Sequence, residues 1–187
     1  NRTSLADPNG NVTTFAYDAD GRATSMTAPD GGVTESRYDA TGNITATTDP
    51  LGHTTSYTYD ADNRRLTRTL PTGEVTQTAY DPAGNLIRTE LPNGTVETRE
   101  YDDLNHLTFL KNTAPVGSVI SSYRYTLSPT GRRDAVVEDT SRRVDYSYDL
   151  IDRLIEERIT DSVAGNRDIT YTLDPVGNRL TRTDSAD

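Results

Sequence analysis

Two short motifs recur at a fixed interval in this sequence and limit the folds that it can adopt. Tyr-Asp occurs five times at a spacing of 21 residues, and Pro-x-Gly occurs five times in step with it. Such a period is typical of arrays in which each repeat is one supersecondary unit stacked on its neighbours. The motifs are Tyr17-Asp18, Tyr38-Asp39, Tyr59-Asp60, Tyr80-Asp81 and Tyr101-Asp102, with Pro8/Gly10, Pro29/Gly31, Pro50/Gly52, Pro71/Gly73 and Pro92/Gly94.

The pattern loosens after residue 102 but continues to the end of the sequence. The next equivalents are Leu127-Ser128, Tyr148-Asp149 and Leu173-Asp174, which gives eight units. The extra residues fall near Lys111–Ser118 and Asp161–Arg167, where we predict lengthened loops. We therefore expect one repeat array over 1–187, regular over 1–110 and irregular over 111–187. Because the first and last units are incomplete, we expect the array to be a fragment of a longer chain.

Each unit predicts a hairpin of two short strands. In Asp81-Pro82-Ala83-Gly84, the Asp side chain can accept a hydrogen bond from a backbone amide of the turn. Pro fixes the backbone conformation at the second turn position, and Gly supplies a positive φ at the fourth. The corresponding fourth positions are Gly21, Gly42, Gly131 and Gly177, with Asn63, Asn105 and Asp152 in place of Gly, and Asn and Asp also tolerate positive φ. Short connections forbid parallel crossovers. The fold class is therefore all-β, a continuous meander of antiparallel hairpins.

The composition excludes several classes of protein. Only 32% of residues are hydrophobic and the net charge is −10, a combination typical of disordered chains. Ten of the 13 Gly nevertheless lie in the two kinds of turn, which argues for order. A thin stripe of Tyr with Ile44, Leu86, Leu107 and Leu154 would then be the core. The absence of Cys excludes disulfides, the acidic charge disfavours nucleic acid as a partner, and no segment predicts membrane insertion or a signal peptide.

The repeated motif resembles the Rhs or YD-repeat family. The family signature is Tyr-Asp-x-x-Gly-Arg/Asn-Leu/Ile-Thr followed by a Pro-x-Gly turn, and it appears here as Tyr38-Asp39-Ala40-Thr41-Gly42-Asn43-Ile44-Thr45. The resemblance implies a spiralling sheet that closes as a hollow shell, built together with flanking repeats of the same chain. In bacterial members such a shell encloses a C-terminal toxin. The resemblance therefore implies a secreted or cell-surface bacterial protein with a polypeptide cargo.

Several candidate sites have simpler explanations. Stacked Tyr side chains could bind sugars, but Tyr as core and Asp as turn cap account for the motif. Asp18/Asp20 and Asp60/Asp62 suggest calcium, yet other units lack the second carboxylate and no distal Glu occurs at EF-hand spacing. His53 and His106 occupy different positions in their units. We expect no catalytic residue, no metal and no cofactor.

The leading hypothesis is a non-enzymatic structural segment of an Rhs-type shell that encapsulates a toxin. The alternative is an extracellular adhesion or glycan-binding array, or a self-assembling β-repeat filament. Because unpaired strand edges recruit other chains, we also expect the isolated segment to self-associate.

Overall fold

The computed structural model describes residues 1–186 and contains, in that range, seventeen β-strands. All regular structure in these residues is strand, and they include no helix with the length and apolarity needed to cross a membrane. The strands are β1 Ser4–Ala6, β2 Val12–Tyr17, β3 Ala23–Thr27, β4 Val33–Tyr38, β5 Ile44–Thr48, β6 Thr54–Tyr59, β7 Arg65–Thr69, β8 Val75–Tyr80, β9 Leu86–Glu90, β10 Val96–Tyr101, β11 Leu107–Thr113, β12 Val119–Leu127, β13 Arg133–Glu138, β14 Arg143–Tyr148, β15 Leu154–Thr160, β16 Arg167–Leu173 and β17 Arg179–Asp184.

The first of two compact units comprises Asn1–Ala79 with Glu90–Pro92. In it, strands β1 to β8 pair antiparallel, each with the next in sequence. Burial along β2, β4 and β6 alternates strictly between exposed and half-buried positions. Because alternate side chains of a strand point to opposite faces, the face that carries Tyr17, Tyr38 and Tyr59 is the more covered one. The predicted all-β array of antiparallel hairpins is confirmed.

Both kinds of turn share one backbone geometry. In the turn after Tyr38, the Asp39 amide donates to the Asn43 carbonyl at 2.9 Å and the Gly42 amide donates to the Asp39 carbonyl at 3.2 Å. The Pro29 turn repeats these contacts from Ala28 to Gly32 and from Gly31 to Ala28, at 2.8 and 2.9 Å. The strand register shifts beside Tyr38, so the turn residue with positive φ forms a bulge. A hairpin with a short loop and an αL residue therefore closes each half of the repeat.

The second compact unit comprises Tyr80–Thr89 and the chain from Asn93 onward. Its strands pair consecutively and antiparallel from β9 to β17. The prediction of a lengthened loop over Lys111–Ser118 is wrong, because a four-residue turn from Ala114 to Gly117 joins strands of 7 and 9 residues. The additional residues extend β11 and β12, which pair from Phe109 with Arg124 to Thr113 with Val119. At Asp161–Arg167, strands β15 and β16 each have 7 residues, and the loop that connects them runs from Asp161 to Asn166.

The core is confined to a small cluster in the second unit. Val136, Val144, Ile159 and Ile169 are 2–6% exposed, and Tyr side chains pack around them. Burying one such aliphatic side chain contributes about 1.5–3 kcal/mol. The predicted stripe through Ile44 and its equivalents is not the buried core, since Ile44 is 36% exposed. Elsewhere the sheet is stabilised chiefly by neighbouring strands and turns.

Candidate functional site, the row of Tyr-Asp turns

The Asp of each turn holds its own loop closed. In the turn after Tyr38, Oδ1 of Asp39 accepts the amides of Thr41 and Asn43 at 3.0 and 2.8 Å, and Oδ2 accepts Nδ2 of Asn43 at 3.0 Å. The Asn43 side-chain amide is the main cause that lowers the pKa of Asp39 to about 2. Carboxylates with a lowered pKa recur in turns of both kinds, at Asp7, Asp18, Asp49, Asp60, Asp81, Asp102, Asp149 and Asp174.

The residue after the positive-φ position links its own turn to the next. Nε of Arg22 donates to Asp18 at 2.6 Å, and Nη1 donates to the carbonyl of Asp39 in the following turn at 3.0 Å. The guanidinium also lies over the Tyr38 ring, 4.9 Å from its centroid. Arg153 makes the same two donations, to Asp149 and to the Asp174 carbonyl. A guanidinium therefore joins consecutive turns by hydrogen bonds, and Arg22 adds a cation–π contact.

Where Asn replaces Arg, the next turn supplies an acceptor side chain. Nδ2 of Asn43 donates to Oδ1 of Asn63 at 2.7 Å, and Nδ2 of Asn85 donates to Oδ1 of Asn105 at the same distance. Asn63 and Asn105 are two of the positions where Asn replaces Gly. The sequence signal for this link is a side-chain donor followed twenty residues later by Asn or Asp. Sequence reasoning missed it because Asn63 and Asn105 were interpreted only as residues that tolerate a positive φ.

The Tyr hydroxyl fixes each hairpin to the preceding one. It donates to the backbone carbonyl fifteen residues earlier, as from Tyr38 to Ala23 at 2.8 Å. Ala23 is itself the cross-strand partner of Tyr17, so each phenol reaches the strand that closes the previous unit. Burial raises the pKa of Tyr59 and of Tyr148. The same donation is made by Tyr17, Tyr59, Tyr101 and Tyr148, to Arg2, Ile44, Leu86 and Arg133.

The fourth turn positions lie in the left-handed region. They are Gly21, Gly42, Gly84, Gly131 and Gly177, the substituted Asn63, Asn105 and Asp152, and the Pro-x-Gly residues Gly10, Gly31, Gly52, Gly73 and Gly94. Sequence reasoning missed Ser141, with φ +64, in a turn closed from Glu138 to Arg142. That turn contains neither Gly nor Pro, and only its place between two strands identifies it.

Side chains of the turns themselves occupy the sites considered for metal. Arg22 bridges Asp18 and Asp20 at 2.6 and 3.2 Å, and Arg64 bridges Asp60 and Asp62 at 2.7 and 3.0 Å. A guanidinium therefore stands between the carboxylates that suggested calcium. Nδ1 of His53 and of His106 lies 3.0 and 3.1 Å from Oδ2 of Asp49 and of Asp102, each within its own turn. Residues 1–186 contain no group of three His, Asp or Glu side chains arranged to hold a metal ion.

The sequence as a whole matches one family model. The teneurin YD-shell model matches residues 5–184. The chain belongs to the YD-shell family. The predicted family resemblance is thus confirmed, and both family and fold are those of a structural shell repeat rather than of a catalyst. No curated protein matches the sequence.

Solved structures of TcdB2-TccC3 and of a Tc holotoxin share the fold of this YD-shell segment. The TcdB2-TccC3-TEV structure superposes with a TM-score of 0.75 at 19% identity, covering 98% of this chain. The Tc holotoxin pore of Photorhabdus luminescens with a TccC3 mutation gives 0.73 at 19% identity, covering 93%. TcdB2-TccC3 without its hypervariable C-terminal region gives 0.75 at 19% identity, covering 94%. The segment spans 11–12% of the length of these chains.

Proposed function

We propose that this YD-shell segment is part of the wall of a hollow shell that encloses a toxin polypeptide of a secreted bacterial toxin, and that the segment has no enzymatic role. The observation that carries the proposal is the YD-shell match over residues 5–184, together with the fold shared with TcdB2-TccC3 structures. A segment that spans 11–12% of such a chain would supply a few adjacent hairpins of the wall.

The polarity of the sheet supports this role. Among residues 1–186, only Ala135, Val136, Val144, Ile159 and Ile169 are buried apolar residues. Most strand positions carry Thr, Ser, Arg or Glu, which stay hydrated on either face. A single-layer wall of this kind needs no second layer packed on it.

The links between turns support it in a second way. Several Tyr-Asp turns are joined to the next by an Arg or Asn side chain, as from Arg22 and Asn43, and Tyr hydroxyls such as that of Tyr59 reach the preceding hairpin. These contacts repeat with the sequence period, so they hold one hairpin at a fixed register to the next. Within each of the two compact units, these contacts resist the separation of neighbouring hairpins, which the wall of a container requires.

Protease protection tests the proposal in the natural protein that contains this segment. We expect the enclosed toxin polypeptide to resist a protease while the shell is intact, and to be digested once denaturant opens the shell. The control is the same toxin polypeptide made alone, which should be digested at once. Digestion at equal rates inside the intact protein and alone would contradict encapsulation and favour an adhesion role.

A further inference from the structure

On the sheet face that carries the Tyr of the Tyr-Asp motif, one position is filled by a large side chain in most repeats. It lies two residues before the Tyr, or before the Leu that replaces it, and therefore on the same face of the strand. Its occupants are Phe15, Tyr57, Arg99, Tyr125, Tyr146 and Tyr171, with Thr78 and Ser36 in the remaining two units. Five of the eight occupants are aromatic, so the repeat is built to hold a ring at this position.

Ser36 leaves that position open. Its cross-strand partner is Thr47, whereas Phe15 is opposite Met26 and Tyr57 is opposite Arg68. A cavity of about 580 Å³, wide open to solvent, lies at this point; Ser36, Thr24, Tyr38 and Arg22 line it, and Asp18, Glu35 and Arg37 contribute to its rim. This volume is within the range of small-molecule sites, and one phenol ring fits in it. The cavity therefore marks the place of the ring that other repeats supply from their own chain.

The groups around the cavity suit a phenol ring. Arg22 is fixed by Asp18 and by the Asp39 carbonyl, which holds its guanidinium beside the opening. Guanidinium groups lie 4.3–4.4 Å from the centroids of Tyr148 and Tyr125 elsewhere in the array. The hydroxyls of Ser36 and Thr24 have no hydrogen-bond partner in residues 1–186. Thr78 differs, because its hydroxyl donates to the Leu66 carbonyl at 3.3 Å.

We propose that the cavity beside Ser36 is a binding site for a phenol ring, presented by a tyrosine side chain of another polypeptide segment. The ring takes the place that Tyr57 occupies in the next repeat, with one face toward the Arg22 guanidinium and its hydroxyl within reach of Ser36 and Thr24. The site depends only on the local sheet, so it stands whether or not the shell encloses a toxin.

Titration of the 187-residue chain with N-acetyl-tyrosinamide, followed by NMR at a protein concentration where light scattering shows no self-association, tests the site. We expect saturable shifts at Thr24, Ser36 and Tyr38 with a Kd on the order of 1 mM. N-acetyl-alaninamide should produce no saturable shift at these residues. Equal shifts with both compounds, or no saturation with the tyrosine compound, would overturn the proposal.

Substitutions that place a large side chain of this chain in the cavity provide a second test, with a matched control variant. Ser36→Tyr places in the gap the residue that the next repeat carries, and it should weaken binding at least about tenfold. Ser56→Tyr adds the same side chain on the opposite face of β6 and should leave binding unchanged. Should Ser36→Tyr fail to fold, Ser36→Arg gives the same test, since Arg99 occupies this position in another repeat. Unchanged binding in the folded Ser36 variant would overturn the proposal.

Discussion

Nδ2 of Asn85 donates a hydrogen bond to Oδ1 of Asn105, 2.7 Å away and twenty residues later in the sequence. Asn85 also binds Asp81 in its own turn at 2.9 Å, so one side chain joins two turns. The same arrangement links Asn43 to Asn63, and Arg132 forms an ion pair with Asp152 at the corresponding positions. Consecutive Tyr-Asp turns are therefore connected by side-chain hydrogen bonds as well as by the pairing of the strands between them.

A double-mutant cycle measures this link. Asn85→Ala and Asn105→Gly should each remove the hydrogen bond, and Asn105→Gly also relieves a non-glycine φ of +64. We expect a coupling of about 0.5–1.5 kcal/mol in the free energy of unfolding, which is typical of one hydrogen bond. Chemical denaturation of the four proteins gives the value. Additive effects would show that the two turns are energetically independent.

The Tyr hydroxyl bond predicts a difference between Tyr38 on β4 and Tyr57 on β6. Tyr38→Phe removes the donation to the Ala23 carbonyl and should lower the free energy of unfolding by about 0.5–1.5 kcal/mol. Tyr57 makes no hydrogen bond through its hydroxyl within residues 1–186, so Tyr57→Phe is the matched control. Thermal or urea denaturation of both variants provides the comparison. Equal losses would mean that the hydroxyl bond adds nothing to stability.

Two glycines with the same φ separate backbone strain from steric contact. Gly131 has φ +82, and a Cβ there would lie 2.5 Å from Nε2 of His106. Gly52 has φ +84 and nothing within 4 Å of that position. Gly52→Ala should lower the free energy of unfolding by about 1–2 kcal/mol through the left-handed conformation alone. Gly131→Ala should lower the free energy of unfolding by more, because the His106 ring must also move. The denaturant midpoints of the two variants show which substitution is the more destabilising.

Acid should weaken the turns in a defined range of pH. The pKa of Asp39 is lowered from 3.8 to about 2, chiefly by the Asn43 side-chain amide. A group with a lowered pKa in the folded state stabilises the protein above its unfolded pKa, and this contribution is lost as the pH falls through the folded value. Melting temperatures should therefore fall between about pH 4 and pH 2.

Asp39→Asn is the control for the acid prediction. The variant should be less stable than the original chain at pH 7, because a neutral amide is a weaker acceptor for the two turn amides. Its melting temperature should change less between pH 4 and pH 2, since one titrating carboxylate is gone. An unchanged pH profile would show that Asp39 does not contribute to acid sensitivity.

The sequence predicts the hairpins because turn chemistry is local. Asp at the first position and Gly at the fourth determine the loop within four residues, and the 21-residue period sets the strands between them. The core could not be predicted in this way. Val136, Val144 and Ile159 come together through the register of β13, β14 and β15, and no local signal specifies that register.

The links between turns were also beyond local reasoning. Asn63 satisfies two requirements at once, a positive φ and an acceptor for Asn43. Only the second depends on a residue twenty positions away. The Ser141 turn and the extended strands β11 and β12 were missed for a related reason, since cross-strand pairing in the sheet decides where strands end. Comparing corresponding positions of successive repeats is the step that finds such pairs.

We propose that this YD-shell segment forms part of a closed wall around a polypeptide. An electron cryo-microscopy map of the natural protein that contains the segment would show whether it does. We predict that residues 1–186 form a single β-layer on the boundary of a lumen, with protein density inside that lumen. An open sheet without a lumen, or a lumen that is empty in the intact protein, would contradict encapsulation.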